Sequence, residues 1–190
     1  MNESDLDLAI VSLFSAPLSA NADYDRLYRA AWFGDLEQFV RIYAQCTVRN
    51  FAQTEWYALL ALIVDNNLVD FFVLILSGYV CIEAAGIDGK TMWHLAVEQQ
   101  RVVIIDYLMQ HYDRYQQTHR IADYAGNSPA IYALHLAKNA ESVEDGQRWY
   151  DILYKLIEYD DAVFTDTDRA GFTLQYKMLM ASAVPGPSLS

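Results

Sequence analysis

The sequence predicts an all-α protein built from stacked helix-turn-helix units joined by short hairpin loops. Three observations predict it: a repeat period of 33 residues, apolar spacings of three and four within each unit, and a recurring D-x-x-G-x-[ST] motif. Self-similarity at a period of this length is the signature of repeat architectures. In these, a unit buries its apolar face only against its neighbours.

Three segments align, 27–36, 60–68 and 93–102. The residue that must reverse the chain falls at Gly34, Asn67 and Gln100, and the large apolar anchor at Leu27, Leu60 and Trp93, both in steps of 33. Each segment runs into a second apolar stretch: Leu36, Phe39, Val40, Tyr43; Val69, Phe72, Val73, Leu76; Val102, Ile105, Leu108, Met109. Spacings of three and four put these side chains on one helix face. Two further units open with Asp123, Gly126, Ser128 and with Asp168, Gly171, Thr173, while Gly89 and Thr91 repeat the second half of that motif. Asp and Gly shape a tight turn. The Ser or Thr hydroxyl then caps the next helix, and Pro129 suits a first helical position, where its missing N–H has no role.

On these residues the chain resembles the ankyrin repeat family. The best-matching unit carries Gly89, Thr91, His94, Ala96 and Leu108 on the pattern G-x-T-P-L-H-x-A-A-x-x-G-H-x-x-h-V-x-x-L. It departs from that pattern at Met92, where proline is usual, and Asn67 and Gln100 replace the turn glycine. In the second unit Ala58 stands where a helix-capping threonine is expected. The resemblance covers about residues 24–182, as four full units and a partial fifth. It implies an ankyrin-like solenoid, with hairpin tips and first helices lining a concave face and second helices forming the convex back. It also implies that the His94 imidazole hydrogen-bonds the hairpin backbone of its own or the adjoining repeat.

Around that repeat domain, residues 1–23 read as an N-terminal capping segment and 183–190, rich in Pro, Gly and Ser, as a flexible tail. The apolar stretch 9–18 lacks the basic flank of a signal peptide, since Glu3, Asp5 and Asp7 precede it. The period breaks twice. Thr91 to Ser128 is 37 residues, so four are added within 111–120. Ala133 to Gly146 is 13 residues where Ala30 to Gly34 is four, so nine are added around 134–145, lengthening the fourth unit's first helix or the turn behind it. That insertion carries Glu141, Glu144 and Asp145. It reads equally as a tolerated surface loop or as a binding element.

The 190 residues carry 13 Lys+Arg and 25 Asp+Glu, a formal net charge of −12. Such acidity argues against nucleic acid and anionic membrane as partners. The longest uncharged apolar run, 71–82, is about half of what spanning a bilayer requires. Two cysteines, Cys46 and Cys81, are too few for a disulfide framework and fit buried thiols in a reducing, cytoplasmic compartment, although one bridge remains open. His111, His119 and His135 stand at no metal-ligand spacing, so no metal site is expected. No phosphate-cradling motif is present, and residues 86–91 are explained by the repeat. Asp160 with Asp161, and Asp166 with Asp168, read as solvated turns. No catalytic residue and no cofactor is expected.

What remains is a surface. By the family's geometry the contact set is Trp32 and Phe33 in the first unit, and Glu55, Tyr57, Asp65 and Asn66 in the second. The third gives Ile87, Asp88, Lys90, Glu98 and Gln99, the fourth Tyr124, Ala125 and Asn127, and the fifth Arg169 and Phe172. Aromatic side chains supply large contact area at small entropic cost, and carboxylates steer a basic partner. Trp32 and Phe33 have packing as their competing role, and the acids have solubility. The expectation is a non-enzymatic protein–protein interaction module, monomeric, whose partner is a protein with a basic surface. The alternative is an inhibitor or regulator of an enzyme, of immunity or host-interaction effector type, contacting it through the acidic tips and the 134–145 insertion.

Overall fold

A computed structural model describes residues 19–46, 51–77, 85–112 and 118–182. Most of the expected capping segment, the 183–190 tail and Cys81 lie outside the described residues. Among those described the fold is all-α, with nine α-helices: α1 (Ala22–Trp32), α2 (Leu36–Gln45), α3 (Gln53–Asp65), α4 (Val69–Leu76), α5 (Met92–Glu98), α6 (Val102–Tyr112), α7 (Pro129–Lys138), α8 (Val143–Tyr159) and α9 (Leu174–Ser182). Two 3-10 turns, Thr118–Arg120 and Asp161–Thr165, complete the elements among the described residues, where the one β feature is an isolated Thr167–Thr173 bridge.

Chain reversal within the first three helix pairs is identical down to the hydrogen bond. Gly34, Asn67 and Gln100 have φ of 68°, 54° and 53°, in the left-handed region. Their N–H groups donate to the carbonyls of Ala31, Val64 and Val97 at 3.0, 3.1 and 3.1 Å. The next residues, Asp35, Leu68 and Arg101, donate to Ala30, Ile63 and Ala96 at 2.9, 2.9 and 2.8 Å. This is a Schellman ending, which satisfies carbonyls that a helix terminus would otherwise leave without partners.

Because the turn repeats, so does the packing. Leu27, Leu60 and Trp93 on the first helices are fully buried, as are Phe39, Phe72 and Ile105 on the second. Each such side chain contributes about 1.5–3 kcal/mol by leaving water. The helices of each pair pack on one another, α1 contacts α3, α3 contacts α5, α5 contacts α7 and α7 contacts α9. The second helices follow suit from α2 to α4 to α6. Val40 and Val102, placed on the apolar face by their spacing, are partly outside it and exposed.

Local chemistry sets where helices begin. Asn21, Asp35, Ser128 and Ser142 each accept a backbone N–H of the following helix's first turn. Ala58 is not at a helix start: α3 begins five residues earlier at Gln53, after Ala52. There the Glu55 carboxylate accepts the Ala52 N–H at 2.8 Å, supplying from inside the helix the bond that a capping side chain would make.

The long fourth unit spreads its extra residues over both helices. α7 has 10 residues against seven in α5, and α8 has 17 against 11 in α6. Gly146 is therefore no turn residue but lies buried in the first turn of α8. A Cβ there would meet the Ala137 carbonyl oxygen at 3.2 Å, so glycine lets the two helices approach.

The hairpins share one geometry too. Gly89, Gly126 and Gly171 all have positive φ and donate to the carbonyl three residues back at 2.9 Å. Successive hairpins touch: the Tyr124 N–H donates to the Asp88 carbonyl at 2.9 Å, Gly89 packs against Tyr124, and Gly126 packs against Arg169. A buried histidine ties them to the helices. His94 Nδ1 accepts the Thr91 N–H at 3.1 Å, and Nε2 lies 2.8 Å from the Asn127 carbonyl, which fixes the proton on Nε2.

Gln100 holds a left-handed conformation that costs an L side chain about 1–2 kcal/mol, whereas asparagine tolerates it better. Gln100→Gly should therefore stabilise the fold by up to about 1 kcal/mol, net of glycine's greater unfolded-state freedom. Asn67→Gly should change less. Urea midpoints of the two variants against the parent check this.

Candidate interaction surface

The ends of the first helices and the hairpin tips carry most of the residues singled out by sequence. Trp32 and Phe33, at the end of α1, are 51% and 65% exposed, and Trp32 stacks on Tyr28 with centroids 6.5 Å apart. Both also make interactions within the chain. Asp65 and Asn66 are exposed at the end of α3, where the Asn66 amide donates to the Leu62 carbonyl at 2.8 Å. Gln99 is exposed at the matching place after α5. At the tips, Ile87 is 99% and Tyr124 71% exposed, with Asp88 and Arg169 exposed beside them. Phe172 is exposed and stacked on Tyr176 at 5.3 Å.

Asn127, Lys90, Glu98 and Tyr57, all expected contact residues, are drawn inward. Asn127 is 9% exposed: its N–H donates to Asp123 Oδ1 at 2.8 Å and its carbonyl receives His94, so it frames the hairpin rather than facing out. Lys90 and Glu98 are half-buried against each other, with Lys90 Nζ 3.0 Å from Glu98 Oε2 and 3.5 Å from Asp88 Oδ2. The ammonium also lies 4.8 Å from the Tyr132 ring centre. Burial alone would lower the Lys90 ammonium, but bonding to Tyr132 and Glu98 outweighs it and holds the charge firmly. Tyr57 is half-buried, its ring laid over Gly86, and burial with the nearby Asp88 pushes its phenol up to about 12.

Sequence spacing alone missed Tyr28 and Tyr132. Tyr132 was legible in principle: aligned on Ser128 it matches Leu62 and Leu95, and a tyrosine at an otherwise leucine position signals a polar contact. It also missed a second polar joint. The loop lengthened by four residues ends in the 3-10 turn holding His119, whose buried Nε2 lies 2.8 Å from Asp160 Oδ2. Arg120 Nε donates to Asp166 Oδ1 at 2.7 Å. His135, on α7, accepts the Lys177 ammonium on Nε2 at 3.0 Å, and Lys177 pairs with Asp168 at 2.6 Å.

Among the described residues no three His, Cys, Asp or Glu side chains are grouped so as to hold a metal ion. None of the described helices is long and apolar enough to cross a membrane. The arrangement presents exposed aromatic area and charge. Compared with known proteins, the chain matches no family model and no curated protein.

Burial pushes the His94 and His135 imidazoles below the ordinary 6.5, with Lys177 adding to the effect at His135. The unfolded chain then binds more protons than the folded one between the lowered values and 6.5, so stability rises with pH across that window. It is fully present above about 6.5 and falls on acidification. Urea midpoints at pH 7.5 and 5.0 should show this loss. His94→Asn should be less stable by about 1–3 kcal/mol at pH 7.5 and lose less between the two pH values.

Proposed function

We propose that this chain is a non-enzymatic protein-interaction module, a divergent ankyrin-like solenoid of four full units and a partial fifth that binds one partner protein. The observation that carries the reading is the row of hairpin tips: Ile87, Tyr124 and Phe172 are large apolar side chains, exposed on successive hairpins that pack one against the next. Folding stability gives no reason to expose three such side chains in one row, whereas recognition does. The identical turns at Gly34, Asn67 and Gln100 support the solenoid reading, since equal turns bring equivalent positions into line. Acidic residues beside the tips suit a basic partner surface and would speed its approach.

In this reading the module works as a monomer in a reducing cytoplasm, consistent with a free Cys46. The regulator reading, with the 134–145 insertion as the contacting element, has a narrower basis. Much of that insertion extends α7 and α8, leaving Val143, Glu141 and Glu144 exposed at the corner.

Ile87→Ser, Tyr124→Ser and Phe172→Ser combined should keep the parent's melting temperature within about 2 °C. The triple variant should also lose the proteins that the parent chain captures from its native cell. Capture of the same proteins in the same amounts would remove the tips from the interface.

A further inference from the structure

The helices α5 and α7 each receive the next unit through equivalent positions. Counted from the residue before the helix, Thr91, Ser128 or Thr173, the third position holds His94, Ile131 and Tyr176. The sixth holds Val97, Leu134 and Leu179, and the seventh Glu98, His135 and Met180. The third and seventh positions face forward, toward the following unit. His94 Nε2–H donates to the Asn127 carbonyl of the next hairpin at 2.8 Å, and the His94 ring lies 5.8 Å from that of Tyr132 on the next helix. His135 accepts the Lys177 ammonium of α9 at 3.0 Å. In α5 and α7 the third and sixth positions are fully buried. In α9 all three positions are open: Tyr176 is 47%, Leu179 65% and Met180 51% exposed.

The hairpin before α9 is open in the same direction. A Cβ on Gly89 would meet Tyr124 of the next hairpin at 2.6 Å, and one on Gly126 would meet Arg169 of the next at 2.7 Å. On Gly171 it would meet nothing within 4 Å among the described residues. These hairpins touch in series just before their helices, so the helix starts lie side by side and the helices run parallel. An end unit stays soluble through a polar outer face. Here Phe172 stacks on Tyr176 at 5.3 Å, and Leu179 and Met180 follow, an i, i+4, i+7, i+8 set. The corresponding seventh positions of α5 and α7 are the polar Glu98 and His135. A second copy suits this face poorly. Two chains of net charge −12 repel on approach, and a two-fold pair sets forward face on forward face, whereas the junctions after α5 and α7 set forward on rear.

We propose that Gly171, Phe172, Tyr176, Leu179 and Met180 form the docking face for a turn-and-helix element of the partner protein, which lies parallel to α9 in the place of a following unit. This rests on the interaction reading above and names the secondary structure through which the partner binds. The partner's turn covers Gly171 as Tyr124 covers Gly89 and Arg169 covers Gly126. Its helix covers Tyr176, Leu179 and Met180 with apolar side chains three and four residues apart. Phe172 belongs both to the row of tips and to this face, so the two surfaces are continuous.

The test is photo-crosslinking of the full chain in its native cell, with p-benzoylphenylalanine in place of Leu179, of Tyr124 at a tip, or of Tyr154, which is exposed on α8. Crosslinked peptides are then sequenced. The probe at 179 should join one protein, within a helix that follows a tight turn and carries apolar residues three and four apart. The probe at 154 should not join it. Leu179→Lys with Met180→Lys should weaken binding of that protein by about tenfold or more and keep the melting temperature within about 2 °C. Tyr154→Lys should leave binding unchanged. Sedimentation of the parent chain should show a monomer. Adducts from 179 to a second copy, to residues 183–190 of the same chain or to a non-helical segment would overturn the proposal, as would unchanged binding in the double variant. Adducts from 124 with none from 179 remove the end face alone and leave the interaction reading. Loss of binding in the end-face variant, beside tip variants that lose nothing, removes the row of tips and leaves the end face.

Discussion

Each of the first three helix pairs turns on one residue held in the left-handed backbone region. That conformation lets its own N–H and the next one fold back onto the last turn of the first helix. Without it the carbonyls of Ala30 and Ala31, or of their equivalents, would face a buried junction unpaired. The same turn sets the angle at which the second helix leaves, and so decides which side chains meet. Three equal turns therefore yield Leu27, Leu60 and Trp93 in one buried row and Phe39, Phe72 and Ile105 in another. A left-handed glutamine and asparagine in place of glycine are tolerated because this geometry is worth more than the local strain.

How much of this was legible depends on what each residue's signal is. Turn and anchor positions repeat at fixed distance and were visible in sequence. Helix starts were not, because a cap can come from either side of the terminus. At α3 the bond comes from Glu55 inside the helix, so an alignment that looked for a threonine at position 58 pointed into the helix interior. Gly146 misled for a related reason: glycine serves a sharp turn and a close helix approach equally well, and only the position of Ala137 tells them apart. Asn127 looked like a tip residue by register, yet its carbonyl is the acceptor that the buried His94 requires. Long-range polar joints such as His119 with Asp160 leave no local pattern, since their partners are far apart in sequence.

The polar joints also fasten the hairpins and α8 to the neighbouring helices. His94 bonds the start of its own helix and the next hairpin at once, and that hairpin in turn carries Tyr124 at its tip. Trp149 Nε1 reaches the Val97 carbonyl at 3.1 Å, and Lys155 pairs with Asp106, so α8 is fastened to the preceding unit. In the proposed interface, exposed aromatic groups on such a frame would lose little freedom on binding.

Charge placement follows the same register. Equivalent positions at the ends of α3 and α5 carry Asp65 and Glu98, acids one unit apart in a row where neighbouring helices pack about 8–10 Å from each other. Burial is the main reason that the Asp65 carboxyl lies above the usual range; the Arg101 charge opposes it and the Glu98 charge adds to it. Stability alone would remove one acid or pair both. Lys90 pairs with Glu98 and the Arg101 charge bears on Asp65, so each acid of the row has a cation answering it.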